Sequence, residues 1–403
     1  MTRPFHRRAF DAARFRAETP GTAEVVHLNA AGAGLPPRAV TKTVVDHLAR
    51  EALLGPHWAV AEARDRLQAV RSSAATLLQC GARNIAFGGS AGRLWAMALL
   101  AMPLRPGARI LVARSEWVSN VLNLVKLKQA SGIEIEIVPV DEGSGLIDTD
   151  RLAGLIDERT AAVCLPVVAS GSGLRQPVER IAGLPRPDRC LLFVDAAQAA
   201  GRMPTGLGST GADVLVAPSR KWLRGPRGQA VMALSDRALE RLGDPPLLDQ
   251  AGARWTGAER YAAREDAARF ETYEFSVAGR LGLGAAIDHA LGFGIEAIGA
   301  AIDARLRRLH AGLSAMPAVR VFEAIEPEPA FLTYVADGVA PEVLDGRLAE
   351  AGICAATVGL DYARLDLQAR GLSAVNRVAP HAYTSEAEID RFLDVVAAAV
   401  AKA

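Results

Sequence analysis

The 403-residue chain alternates short, wholly apolar runs with longer stretches whose apolar positions recur at helical spacing. ARILVA, TAAVCLP, LLFVD, ADVLVAP and QAVMALS are runs of the first kind. Their lack of polar alternation predicts strands buried on both faces. Between them, RLWAMALLAM and SNVLNLVKLKQAS read as helices. Strand and helix in turn imply a mostly parallel sheet flanked by helices, the α/β class.

VVHLNAAGAGLPP (residues 25–37) pairs a short strand with a small-residue turn that Pro36-Pro37 keeps out of helix. Such a turn lets a backbone approach a ligand closely. Residues 38–78 predict two amphipathic helices broken near Gly55-Pro56. Past them, NIAFGG runs through Gly88-Gly89 into a helix starting near Ser90, whose unpaired N–H groups suit a phosphate. Residues 254–276 are polar but rich in Arg, Trp and Tyr, which suits a subunit interface or a solvated face. Residues 280–316 read as a long helical bridge. After Val319, strands near VRVFEAI and FLTYVAD and helices at PEVLDGRLAEAG and SEAEIDRFLDVVAAAVAKA form an α+β unit. The chain therefore divides into residues 1–280, an N-terminal segment and large domain, and 281–403, a bridging helix and small C-terminal domain. With no repeats or low-complexity linker, the two are expected to be rigidly coupled.

Charge narrows the function. With 46 basic against 45 acidic residues there is no footprint for nucleic acid or an anionic membrane. A small-molecule substrate is favoured. Cys80, Cys164, Cys190 and Cys354 are dispersed without a CxxC pair, so neither a metal site nor a disulfide framework is expected. The basic N-terminus lacks the apolar core of a secretory signal, and no apolar run reaches membrane-spanning length. The expected location is cytoplasmic.

The chemistry gathers between Leu191 and Gly228. LLFVD delivers Asp195 to a strand's carboxyl end, where open α/β sheets bind ligands, and Lys221 follows the strand in ADVLVAPSRK. A carboxylate that keeps a ring nitrogen protonated and a lysine that forms a Schiff base are what pyridoxal 5'-phosphate (PLP) requires. Trp117 in SEWVSN stands just past another strand end, placed either to stack on a planar ring or to pack in the core. The SGSG loop brings Ser170 towards the same edge.

In AGAGLPP, SAGRLWAM, SRKWLRGPRG and ARLDLQARGLSAVNRVAPHAYTSEAEID the chain resembles class V aminotransferases. These are fold type I PLP-dependent enzymes that include cysteine desulfurases, selenocysteine lyase, kynureninase and isopenicillin N epimerase. Nearly the whole sequence is covered. Within the group, these blocks are most similar to the ergothioneine-pathway C–S lyases that cleave hercynylcysteine sulfoxide. The resemblance implies the fold type I transferase fold, PLP as cofactor, an amino-acid substrate, and a homodimer with active sites at its interface.

By the same resemblance, Lys221 is the Schiff-base lysine, Asp195 the partner of the ring nitrogen, and Gln198 the contact to the phenolic oxygen. Trp117 takes the stacking position. Ala91, Gly92, Ser219 and Arg220 surround the phosphate, and Ser170 lies beside the cofactor oxygen. Asn29 and Arg377 fall to the substrate, Arg377 gripping its carboxylate in bidentate fashion. Arg224 and Arg227 either charge the site for a bulky substrate or hold phosphate or the other subunit. His381 is a substrate contact or, as the plainer choice, a surface residue.

Departures from the family pattern matter too. Gly92 replaces a threonine, and Pro218 a serine, that relatives use at the phosphate. Aligning the Gly-Ile of GICAATVGLDYARLD puts Asp361, not a cysteine, at the persulfide-forming position. Cys354 comes too early and reads as a small buried hydrophobe. The expected reaction is therefore β-elimination of an S-substituted L-cysteine or its sulfoxide, giving a thiol or sulfenate, pyruvate and ammonia. Transamination, epimerisation and oxidative decarboxylation–deamination of an S-conjugated cysteine in secondary metabolism stay open. A non-catalytic PLP-binding regulator is disfavoured by the intact Asp195, Gln198, Lys221 and Arg377.

Overall fold

Within each apolar run, alternate side chains go to opposite sides. In strand Leu191–Asp195, Leu191 and Phe193 enter one hydrophobic cluster while Leu192 and Val194 enter another. Strand Arg109–Ala113 divides the same way, Ile110 and Val112 against Leu111 and Ala113. Both sheet faces are thus apolar and covered, and a polar residue finds room only where a strand ends. The computed structural model describes residues 10–402; the basic stretch 1–9, read above for a signal segment, lies outside them.

Seven strands form the main sheet, in the order Ile85–Gly88, Ala230–Leu234, Val214–Pro218, Leu191–Asp195, Thr160–Pro166, Arg109–Ala113 and Glu134–Val138. Ala230–Leu234 is antiparallel to both neighbours, and the pairs from Val214–Pro218 to Glu134–Val138 are parallel. Gly88, Ala113, Pro166, Asp195 and Pro218 consequently end at one edge, which is where the site forms.

Residues 38–78 hold three helices rather than the expected two: Arg38–Leu54, Pro56–Glu62 and Arg64–Leu77. Gly55, at φ 79°, makes the first break. The second falls at Ala63, where ψ opens to 0° without any breaker residue to announce it. The long bridge is also two helices, Val277–Phe293 and Ile295–Ser314, bent by 77° at Gly294. Among the described residues, no single helix is long and apolar enough to cross a membrane.

The C-terminal unit carries an antiparallel sheet ordered Val319–Val321, Leu332–Ala336, Ala374–Val378 and Ala356–Gly359. Its last helix, Glu386–Val400, opens with a capping box between Ser385 and Glu388. Strand Val26–His27 pairs in parallel with Ile353–Cys354, and Asn29 bridges to Ala379. The N-terminal segment therefore crosses the division drawn at residue 280 and is built into this unit. Residues 254–276 begin as an antiparallel hairpin, Ala253–Gly257 with Arg260–Ala263, that leaves Trp255 84% exposed.

Candidate active site

The strand ends surround a cavity of about 540 Å³. Its walls include Ala91, Gly92, Trp117, Ser170, Asp195, Gln198, Arg220, Lys221 and Arg227. On one side lies the first turn of helix Ala91–Leu100, where Ser90 Oγ accepts from Arg93 N at 3.2 Å. Positive dipole and spare N–H groups at such an end attract an anion. A Cβ on Gly92 would lie 3.4 Å from Ser119 Cβ, and Ser119 itself lines the cavity. A serine on the adjacent helix thus stands beside the position that lacks its hydroxyl.

Lys221 Nζ sits 5.5 Å from the centre of the Trp117 ring. Burial brings its ammonium down to about 7, with Asp195 opposing the shift and Arg220 and Arg377 adding to it. Asp195 accepts from Ala197 N at 2.8 Å and from Asn120 Nδ2 at 3.3 Å. Burial raises its carboxyl while Lys221 pulls it down. Gln198 Oε1 accepts from Trp222 Nε1 at 3.0 Å, and its Nε2 donates to Ala31 O at 3.1 Å, which fixes the amide at the cavity wall.

Arg377 lies just behind Ser170, donating to its carbonyl at 3.4 Å and to Asn29 Oδ1 at 3.2 Å. Its Nε is buried without a partner. A guanidinium with a spare donor next to the cavity can take a carboxylate. Arg220 is half-buried and Arg227 exposed, both on the cavity wall; burial, then Arg227, lowers Arg220 from its ordinary value.

Four expected site residues are not among those that line the cavity: Arg377 and Asn29, which bond to each other, and Ser219 and Arg224. Ser219 is fully buried and donates its hydroxyl to the carbonyl of Pro226, closing the lysine turn instead of meeting a phosphate. Arg224 adopts φ 62° and swings away, donating to Thr19 Oγ1 at 2.8 Å and contacting His289 Nδ1 at 3.2 Å. Its guanidinium lies 4.2 Å from the centre of the Phe15 ring. His381 is neither substrate contact nor surface: it is buried and stacked on Tyr383 at 4.9 Å. Its Nδ1 accepts from Ala382 N, which leaves Nε2 to donate to Trp222 O.

The small-residue turn also differs from expectation. Gly34 N donates to Arg220 O, and a Cβ on Gly34 would lie 2.7 Å from Lys221 O. The close approach is to the lysine turn rather than to a ligand. Asp361 is exposed at the start of helix Leu360–Ala369, while its neighbour Tyr362 stacks on Trp117 at 6.0 Å. Cys354 is only half-buried, its thiol raised by that burial and bonded to Asn29.

The buried pair Glu116 and Asn120, which bridges to Asp195, is not among the site residues expected from the sequence. A signal existed: an acid three residues past the end of an apolar strand and four residues before an amide on the following helix.

The donor set fits PLP. A helix N-terminus, Arg220 and Arg227 could receive a phosphate, a buried carboxylate and a buried lysine share the cavity wall, and an indole lies beside the lysine. The sequence model described as aminotransferase class-V matches residues 15–392. A probable hercynylcysteine sulfoxide lyase from Mycobacterium tuberculosis (strain CDC 1551 / Oshkosh) is 29% identical over 395 residues, covering 97% of this chain and 94% of its own. The cysteine desulfurase CsdA of Escherichia coli shares the fold with a TM-score of 0.89 at 22% identity, over 98% of this chain and 100% of that one. C-DES, in a structure with glycine covalently linked to the PLP cofactor, superposes with a TM-score of 0.85 at 20% identity over 95% and 98% of the two chains.

Proposed function

The chain belongs to the class V aminotransferase family, and on that premise we propose that it is a PLP-dependent carbon–sulfur lyase acting on an S-substituted L-cysteine or its sulfoxide. The observation that carries the choice of lyase over desulfurase is the segment above the cavity. It presents Asp361 and Tyr362, with no thiol among residues 359–369, and Tyr362 stacks on Trp117. Cys354, the nearest thiol in sequence, is occupied by Asn29 and held protonated by burial. Among the described residues no thiol is placed on that segment, which supports sulfur leaving with its substituent.

Bound PLP supplies an electron sink at the substrate's α-carbon. Arg377 and Asn29 orient the substrate by its carboxylate. Lys221 Nζ, poised near neutrality, takes the Cα proton. Asp195 would hold the cofactor by its ring nitrogen, and Gln198 and Trp117 would hold its ring. As the Cα–H and Cβ–S bonds break, the sulfur departs with the electron pair as thiolate or sulfenate, and water converts the remainder to pyruvate and ammonia.

The test is incubation with S-alkyl cysteines and their sulfoxides, followed by pyruvate assay. Pyruvate with stoichiometric thiol or sulfenate products is expected. Racemised amino acid alone, a keto acid retaining sulfur, or an aldehyde overturns the proposal. We further propose a homodimer, which would cover the exposed Trp255, Tyr261 and Leu247. A monomer by light scattering overturns that part.

A further inference from the structure

Glu116 lies between strand Arg109–Ala113 and helix Val118–Ser131, with its side chain buried. Oε1 accepts from Trp117 N at 2.8 Å and from Asn120 Nδ2 at 2.9 Å, whereas Oε2 is buried with no partner. The same Asn120 nitrogen donates to Asp195 Oδ2. Two acids thus share one amide, which has two protons to give and no third.

The titratable groups facing Glu116 are Asp195 from strand Leu191–Asp195 and Cys164 from strand Thr160–Pro166. Neither is a cation. Two buried anions joined by a neutral amide carry a desolvation and repulsion cost that a single proton removes. Asp195 has Lys221 as an opposing charge and Ala197 N as a second donor. The charge therefore belongs on Asp195 and the proton on Glu116. Oε1, with two donors aimed at it, is the carbonyl oxygen, and Oε2 is the hydroxyl. Burial, then the charge of Asp195, lifts the Glu116 carboxyl to about 8, in keeping with this geometry.

We propose that Glu116 is a positioning residue, a neutral carboxylic acid that holds the Asn120 amide with its second N–H aimed at Asp195, making that carboxylate the single buried anion of the site. Glu116 acts only through Asn120. The consequence for the ring nitrogen rests on PLP being the cofactor. The protonation state belongs to the chain alone and is independent of whether the reaction is β-elimination.

Two measurements test this. Infrared difference spectra at pH 7 between the wild-type holoenzyme and Glu116→Gln should show one protonated-acid carbonyl band in the wild type, shifted in D2O and missing from the variant. In PLP titrations of the cofactor-stripped proteins, Glu116→Gln should bind within about twofold of wild type, because its amide keeps the uncharged acceptor. Asn120→Ala should bind about tenfold more weakly, having lost a hydrogen bond to a charged group. The proposal is overturned if the difference spectrum shows no acid band, or if Glu116→Gln binds PLP as weakly as Asn120→Ala. Should Asn120→Ala not fold, the difference spectrum decides alone.

Discussion

Arg224 donates to Thr19 Oγ1 at 2.8 Å across 205 positions of sequence, tying the turn that carries Lys221 to the N-terminal segment. The second contact of Arg224, His289, is itself bonded to Glu18 at 2.9 Å. Replacing the guanidinium by an apolar chain of similar length leaves Thr19 and His289 without it. Arg224→Met is expected to cost about 2 to 3 kcal/mol of stability, read as a lowered thermal midpoint, with KM unchanged in the folded fraction. An unchanged midpoint with a raised KM would return Arg224 to the substrate.

For Lys221 the expected signature is kinetic. Its ammonium is brought to about 7 chiefly by burial, so the neutral amine that attacks an aldehyde predominates above that pH. The rate at which cofactor-stripped protein captures PLP should climb through pH 7 and level off. A rate still climbing towards pH 10 would mark an ordinary exposed lysine.

Arg377 combines a free buried Nε with a bond to Asn29. Arg377→Ala should raise KM about 100-fold with a smaller effect on kcat, and Arg377→Lys should recover little, since an ammonium cannot reproduce the paired geometry. Asn29→Ala should raise KM about threefold, the scale of one ordinary hydrogen bond. Steady-state kinetics on the substrate that turns over decide it.

Acid should unfold the protein earlier than carboxylate titration alone requires. Burial holds His27 and His289 down to about 4 and His381 well below its ordinary value. Unfolded, each titrates near 6.5, so between roughly 6.5 and 4 the unfolded chain binds protons that the fold refuses. Stability from these residues is complete above that window and lost as pH falls through it. A thermal midpoint constant from pH 7 to 4.5 would contradict this.

Glu116 contributes the opposite slope. Its carboxyl is lifted to about 8, so between about 4.5 and 8 the fold keeps a proton that the unfolded chain releases. Stability from this group falls as pH rises. The thermal midpoint of Glu116→Gln, measured against wild type, should therefore gain steadily from pH 5 to 8; a constant difference would show that the group does not titrate there.

Asp195 and Lys221 were legible in the sequence for a physical reason. A strand buried on both faces admits polar residues only at its end, so an acid closing LLFVD has few other places to point. Ser219 and Arg224 are expected near the site from the resemblance, but left-handed backbone at Arg224 and the Pro226 carbonyl beside Ser219 turn their side chains elsewhere. Glu116 was overlooked because an acid at the head of a helix ordinarily needs no further account. Its meaning comes from Asp195, which only the fold brings within reach of Asn120. The break at Ala63 has no sequence mark, whereas Gly55 supplied one.

Strand Val26–His27 lies beside Ile353–Cys354, and Asn29 meets Arg377 across 348 positions. During synthesis, the ribosome therefore finishes the main sheet, with Asp195 and Lys221 at its strand ends, well before Arg377, the proposed carboxylate anchor, exists. A C-terminally clipped chain that kept this sheet folded and took up PLP would still lack Arg377, its proposed amino-acid anchor. Such a species would colour a preparation yellow and dilute its specific activity, so cofactor content alone overstates the number of working sites.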